Sequence, residues 1–394
     1  MTSKFVVPLM LVFALALFAC SLTNTTTSPV LPTETISNPI AVTLIPATST
    51  DSATKTPENT AMPTATVPAA TATLTPSATS APAATDTAAP VQNPASGNYI
   101  DDRSTPSQVI VSLYNAINRQ EYLRAYNYWM NPATSLDSFT AYANGYQDTA
   151  AVVLVFGQIT GDAGMSQVYY TIPVILKVMT RNGTHTNFAA CYIVHEASPY
   201  VFSAPPFPPM GIDRGSAKKT DISASDSSVL ATACSGYPSG PMPVPVSSEG
   251  LNIDKSNFMD NRSGPIETVS SFLNALNLKQ YVRAYSYYQD PATYPGPYSP
   301  YAAGYADTDV ITATFGTVQS EGAAGNQYFK VPLALHVLTT SRARQIFVGC
   351  YTLHLAQPAV QDTPPFQPMG IISGKFTQFT NGTDVNPLLP KACQ

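Results

Sequence analysis

One module occurs twice in this chain, in gapless register, and that repeat constrains the fold more than any other feature. Ser112-Leu113-Tyr114-Asn115-Ala116-Ile117-Asn118 returns as Ser271-Phe272-Leu273-Asn274-Ala275-Leu276-Asn277. The offset is 271 − 112 = 159, and it holds from Pro106/Pro265 to Cys234/Cys393. Units of this length are domain-sized, so the repeat predicts two domains of one fold.

Each copy carries two cysteines, Cys191 and Cys234 in the first, Cys350 and Cys393 in the second. Four cysteines allow three pairings. Because 350 − 191 and 393 − 234 both equal 159, duplication of one cross-linked ancestor predicts Cys191–Cys234 and Cys350–Cys393. No C-x-x-C pair or matching histidine spacing is present, so a metal site is not expected. No Gly-rich phosphate loop or nucleophile elbow is recognisable, and no cofactor is expected.

The amino terminus reads as an export signal. Lys4 supplies the positive charge, Phe5 to Ala19 the apolar run, and Leu17-Phe18-Ala19-Cys20 closes it. That run is too short for a spanning helix. Cys20 directly after it resembles the lipobox of bacterial lipoproteins, which implies a lipid on Cys20 and an anchor on the outer face of a bacterial membrane. Residues 21–98 are Thr, Ser, Pro and Ala with few charges, a composition that cannot offset chain entropy and reads as a disordered stalk. Only 11% of the chain is charged and the net charge is −5. With no Lys/Arg cluster, nucleic acid is not an expected partner. The expected partners are the membrane, through the lipid, and a small molecule, a glycan or an envelope protein.

Each module opens with a helix signal: Thr105/Gly264 at the cap, Pro106/Pro265 at the first helical position, and Gln108/Glu267 after it. Val109, Leu113, Ala116 and Ile117 recur at helical spacing, and Tyr122, Ala125, Tyr126 and Trp129 form a second stripe. Asn131-Pro132 ends it, and a short third helix is expected over 139–146. The period then changes to two. Val152, Leu154 and Phe156 predict one strand, Val168 to Met179 a long one, and Phe188 to Glu196 the last. Turns are expected at Gly161–Gly164 and Arg181-Asn182-Gly183. The fold class is α+β: helices first, then an antiparallel meander. The domains are expected at 99–236 and 261–394, with a linker at 237–260.

The phrase Leu113-Tyr114-Asn115-Ala116-Ile117-Asn118 followed by Glu121-Tyr122-Leu123-Arg124-Ala125-Tyr126, repeated over 272–285, and the element order after it resemble the nuclear transport factor 2-like superfamily, including its SnoaL-like members. That resemblance implies two tandem cone-shaped domains, each with N-terminal helices packed on a bent antiparallel sheet. It implies no reaction, since isomerases, dehydratases, cyclases and non-catalytic binding domains share the fold. Members often pair through the outer sheet face, which implies an internal pseudo-dimer with Lys177 and its match His336 near the interface.

Candidate site residues come in matched pairs. Tyr126/Tyr285, Tyr142/Tyr301, Tyr146/Tyr305 and Tyr192/Tyr351 are placed to line a cone, where an aromatic pocket with polar tips suits a flat or sugar-like ligand. Filling of the core by the same rings is the competing reading. Asp148/Asp307 beside Tyr146/Tyr305 are the acid–base candidates of an isomerase-type alternative, against turn-forming aspartates. His195/His354 fall on the outer face by strand parity and read as structural. Arg124/Arg283 read as side chains packed by their stems rather than as an anion site. The leading expectation is a non-catalytic binding module; the alternatives are a SnoaL-type enzyme and a structural envelope scaffold.

Overall fold

A computed structural model of the chain describes residues 91, 92, 94, 97–244 and 257–394. The export signal, Cys20, nearly all of the stalk and residues 245–256 of the linker lie outside the described residues. The first half runs β1 (Val91–Gln92), α1 (Pro106–Asn118), α2 (Tyr122–Tyr126), α3 (Pro132–Ser135), α4 (Phe139–Gly145), β2 (Thr149–Phe156), β3 (Ile159–Gly164), β4 (Gln167–Thr180), β5 (His185–Ala197), β6 (Gly211–Thr220), α5 (Asp226–Ala233) and β7 (Met242–Val244). The second half repeats it as α6 (Pro265–Asn277), α7 (Tyr281–Tyr285), α8 (Tyr298–Ala303), β8 (Thr308–Phe315), β9 (Gln319–Ala323), β10 (Asn326–Thr339), β11 (Arg344–Ala356) and β12 (Gly370–Phe379). The molecule is thus α+β, with two sheet domains built on antiparallel sheets.

The long strand organises each sheet. β4 pairs with β2 along its C-terminal half and with β3 along its N-terminal half. At the gap sits Pro173, which has no amide to donate; its carbonyl accepts from Gly157 N at 2.8 Å. Pro332 and Gly316 repeat this in β10. On the other side β4 pairs with β5, and β5 with β6; β10, β11 and β12 follow the same order.

The expected helix signals hold. Thr105 Oγ1 accepts from Gln108 N at 3.2 Å and caps α1, and Pro106 fills the first helical position. The repeated asparagines do more than mark the repeat. Asn118 exchanges two hydrogen bonds with Val152 of β2, and Asn277 does so with Ile311 of β8. One turn earlier, Asn115 holds Asn98 O and Ile100 N, as Asn274 holds Asn257 O and Met259 N. The repeat therefore begins at Asn98/Asn257, and residues 257–260, expected in the linker, belong to the second domain.

Helices α1, α2 and α4 cover one face of the first sheet, where Val109, Leu113, Ile117, Leu154, Ile172, Val174, Tyr192 and Val194 form one core. The opposite face is covered by the disulfide-tied tail. Val229 and Leu230 of α5 pack on Val155, Ile175 and Ala189; Val385, Leu388 and Leu389 pack on Ala334, Ile346 and Val348 in the second half. Both expected disulfides form, Cys191–Cys234 and Cys350–Cys393.

Three expectations change. Gly161 to Gly164 lie in β3, and the turn falls on Met165 and Ser166, both in the left-handed region. The 188–196 strand is not the last; β6 and β12 extend each sheet. Lys177 meets the tail: its Nζ lies 2.8 Å from Asp226 Oδ2 in the first turn of α5. In the second half the corresponding positions are His336 and the buried Val385, so the ion pair is lost from both sides at once.

The hydrogen bonds that join the halves lie away from this sheet face. Arg103 N donates to Asp260 O at 2.7 Å, and Arg262 N to Asp101 O at 2.6 Å. Asp101 N donates to Ser263 Oγ and Asp260 N to Ser104 Oγ, each at 2.9 Å. Every bond here has its mate under the 159-residue offset.

Candidate functional site

The matched tyrosines come together, and they meet each other. In the first domain α2 and α4 bring Tyr126 and Tyr142 edge to face at 5.3 Å, and Tyr146 follows at 5.1 Å from Tyr142. Tyr192, from β5, meets Trp129 at 6.2 Å and shares a hydroxyl–hydroxyl bond with Tyr114. In the second domain Tyr301 touches Tyr285, Tyr288 and Tyr305 at 5.1, 5.7 and 5.2 Å, and Tyr351 packs on Phe272 and Phe376. Edge-to-face pairs of this kind add about 1 kcal/mol each beyond their burial. Tyr126, Tyr142, Tyr192, Tyr285, Tyr301 and Tyr351 are all buried, and burial holds the phenols of Tyr142, Tyr192, Tyr301 and Tyr351 above their ordinary range.

Gly215 and Gly374 make room for this packing. A Cβ at Gly215 would lie 2.6 Å from the Tyr192 ring, and one at Gly374 2.6 Å from the Tyr351 ring. Neither glycine has a left-handed backbone; each is required because a ring lies flat against it. Among the described residues three buried polar atoms make no hydrogen bond of ordinary geometry: Trp129 Nε1, Tyr142 Oη and the matched Tyr301 Oη. The first two lie close enough to each other for Trp129 to lower the Tyr142 phenol against the burial that raises it.

The acid–base candidates are elsewhere. Asp148 is exposed, and its carbonyl accepts from Arg181 N at 2.9 Å in the hairpin between β4 and β5. Asp307 does the same for Thr340 N, and its carboxylate also accepts from Thr340 Oγ1. Both aspartates hold a turn. His195 lies between Met130 Sδ and Gln167 Oε1 and stacks on Tyr169 at 4.5 Å. His354 lies between the matched Gln289 and Asn326 and stacks on Tyr328 at 4.7 Å. Burial lowers both imidazole pKa values, which keeps them neutral clamps at the strand ends.

Arg124 and Arg283 are more deeply placed than stem packing requires, each 1% exposed. Arg124 forms an ion pair with Glu121 at 2.6 Å, donates to Asn115 Oδ1 at 2.9 Å and to Ile100 O, and lies over the Tyr99 ring. Arg283 repeats this with Gln280, Asn274, Met259 O and Phe258. Their forks pin the N-terminal segment of each domain. No carboxylate replaces Glu121 at Gln280, and Asp260 reaches Arg283 through the Tyr287 hydroxyl.

Sequence reasoning missed a cleft at the joint. Its volume is about 60 Å³, and Arg103, Arg262, Asp101, Asp260, Tyr128 and Phe366 are among its lining residues. Arg103 donates to Met210 O and Asn127 O and covers the Tyr128 ring; Arg262 does likewise with Met369 O, Ser286 O and Tyr287. The signal was present as Asp101-Asp102-Arg103-Ser104 against Asp260-Asn261-Arg262-Ser263. Neither segment has helix or strand periodicity, so pattern reading passes over it.

No protein-family model, curated protein or solved structure matches this chain.

Proposed function

We propose that the chain is an exported, lipid-anchored envelope protein whose two domains are cone-shaped folds of the nuclear transport factor 2-like kind, acting as non-catalytic binding modules. One observation carries the non-catalytic part: the matched tyrosines occupy the domain interiors ring against ring, while the aspartates considered for catalysis hold turns and the histidines hold strand ends. An acid–base pair needs both groups within reach of one substrate atom, and Asp148/Tyr146 and Asp307/Tyr305 do not offer that. Binding then falls to the outer surface, where Tyr169, Tyr200 and Tyr328 are the exposed aromatic side chains suited to a protein partner among the described residues.

Photo-crosslinking tests this reading. A benzoyl-phenylalanine at the exposed Tyr200 is expected to capture an envelope protein in intact cells, and one at the interior Tyr142 to capture none. Capture from Tyr142 alone would contradict it. For the anchor, Cys20→Ala is expected to abolish incorporation of an alkynyl fatty acid; retained label would sink that part.

A second reading rests on the buried Tyr301 hydroxyl, which makes no hydrogen bond, and on the matched Tyr142 hydroxyl, whose polar neighbours Trp129 and Tyr146 meet it without ordinary hydrogen-bond geometry. Buried polar groups usually find a partner, and a small polar guest inside each domain would supply one. Its test is a Tyr142→Phe/Tyr301→Phe variant. Under this reading the variant loses ligand-dependent thermal stabilisation; under the outer-surface reading it gains stability, because two poorly bonded buried hydroxyls are removed.

A further inference from the structure

Within the two joined segments, Asp101–Ser104 and Asp260–Ser263, Asp102 and Asn261 are the one matched pair that differs in identity. They face each other as an antiparallel bridge at the centre of the two segments. Each is held from behind by a helix serine: Ser112 Oγ on Asp102 N and O, Ser271 Oγ on Asn261 N and O. Each spends one side-chain oxygen on its own strand, Asp102 Oδ1 accepting from Ser104 N and Asn261 Oδ1 from Ser263 N. That leaves one group apiece pointing across, and the Asn261 amide donates to Asp102 Oδ2 at 3.2 Å. Were both positions Asp, two carboxylate oxygens would meet there with no proton between them.

We propose that Asp102 and Asn261 decide which module joins which: the joint accepts one Asp and one Asn, and rejects Asp against Asp while both are ionised. The joint is thereby heterotypic, favouring pairing of the first module with the second over pairing of two first modules from different chains.

The surroundings sharpen the discrimination. Asp102, Asp101 and Asp260 are all buried. Asp101 and Asp260 accept hydrogen bonds from Tyr128 and Tyr287. The positive charges facing the cluster are Arg103 and Arg262, whose forks are engaged with backbone carbonyls while Arg262 Nε also lies 3.9 Å from Asp260 Oδ1, and Arg124 and Arg283 behind the tyrosines. From α1 and α6 the facing groups are the uncharged serines. Burial, followed by the carboxylates of Asp260 and Asp101, raises the Asp102 carboxyl to about 6 against the Ser104 hydrogen bonds that lower it. A further carboxylate at position 261 has no cation left to meet it. The inference does not depend on what the domains bind.

Thermal unfolding of the full chain tests it, with Asn261→Asp, Asp102→Asn and the swapped double variant compared at about pH 7.5 and about pH 5. Asn261→Asp is expected to lower the Tm by roughly 3–8 °C at the higher pH and to regain most of that at the lower. The swap restores one Asp and one Asn and is expected to match wild type. Asp102→Asn is expected to keep the Tm at the higher pH and to gain less than wild type on acidification. Because His195 and His354 titrate in all four proteins, that difference isolates position 102. A swap no more stable than Asn261→Asp, or an Asn261→Asp protein equal to wild type at the higher pH, would overturn the proposal. If Asn261→Asp does not fold, recovery by the swap still decides.

Discussion

Arg124 and Arg283 carry the same fork into the same kind of site, yet their losses should differ. Removing Arg124 leaves Glu121, itself 8% exposed, with Arg119 alone, whose Nε lies 2.7 Å from Glu121 Oε1, so the loss falls below the roughly 3–5 kcal/mol of a fully unpaired buried carboxylate. Removing Arg283 leaves the neutral Gln280. Arg124→Met is still expected to destabilise more than Arg283→Met in urea titrations; equal losses would mean that Arg119 alone satisfies Glu121. Gly215→Ala and Gly374→Ala act through volume. Each methyl displaces a buried tyrosine ring, and overpacking of this kind costs about 1–3 kcal/mol. Near-ultraviolet circular dichroism should change with it, and an unchanged signal would mean that the rings are loosely held.

At the scale of elements, the tails are the least uniform part of the repeat. The first tail buries Val229 and Leu230 and adds the half-exposed Lys177–Asp226 pair, worth at most about 1 kcal/mol. The second buries Val385, Leu388 and Leu389. The first therefore leans harder on its disulfide. With Cys191→Ala/Cys234→Ala, proteolysis is expected to begin within 221–240, and with Cys350→Ala/Cys393→Ala the second tail should resist longer; the reverse order would contradict this weighting. Sheet edges diverge similarly. β7 pairs with β3 in the first half, whereas in the second Glu321 and Lys330 place charges 3.1 Å apart across β9 and β10, a common way to discourage edge pairing.

Legibility of the elements followed their periodicity. α1, α4, β2, β4 and β5 alternate cleanly and were readable. The β3–β4 turn was misplaced because glycine is the usual residue for φ > 0, and here Met165 and Ser166 adopt it instead. β6 was missed because only its first two residues are buried. The tyrosines were legible as a set, but whether rings line a space or fill it depends on centroid distances that no spacing encodes. The joint was hidden for another reason: its segments are stabilised by partners 156 to 162 residues away, and each half alone reads as a loop.

At the scale of the whole molecule, pH dependence follows from Asp102. Its folded carboxyl titrates near 6, above the ordinary value of 3.8. A raised carboxylate pKa means that the folded state binds the proton more tightly. Stability from this group is therefore greatest below the ordinary value and is lost as pH rises through about 6. His195 and His354, whose pKa values are lowered, oppose this on acidification.

The two halves are joined through Asp101–Ser104 and Asp260–Ser263, and amide hydrogen exchange tests that joint most directly. The Arg103 and Arg262 amides, which cross the joint, are expected to exchange as slowly as central amides of β4 and β10. Exchange of those two amides at free-peptide rates, with the sheets still protected, would contradict the joint and the inference drawn from it.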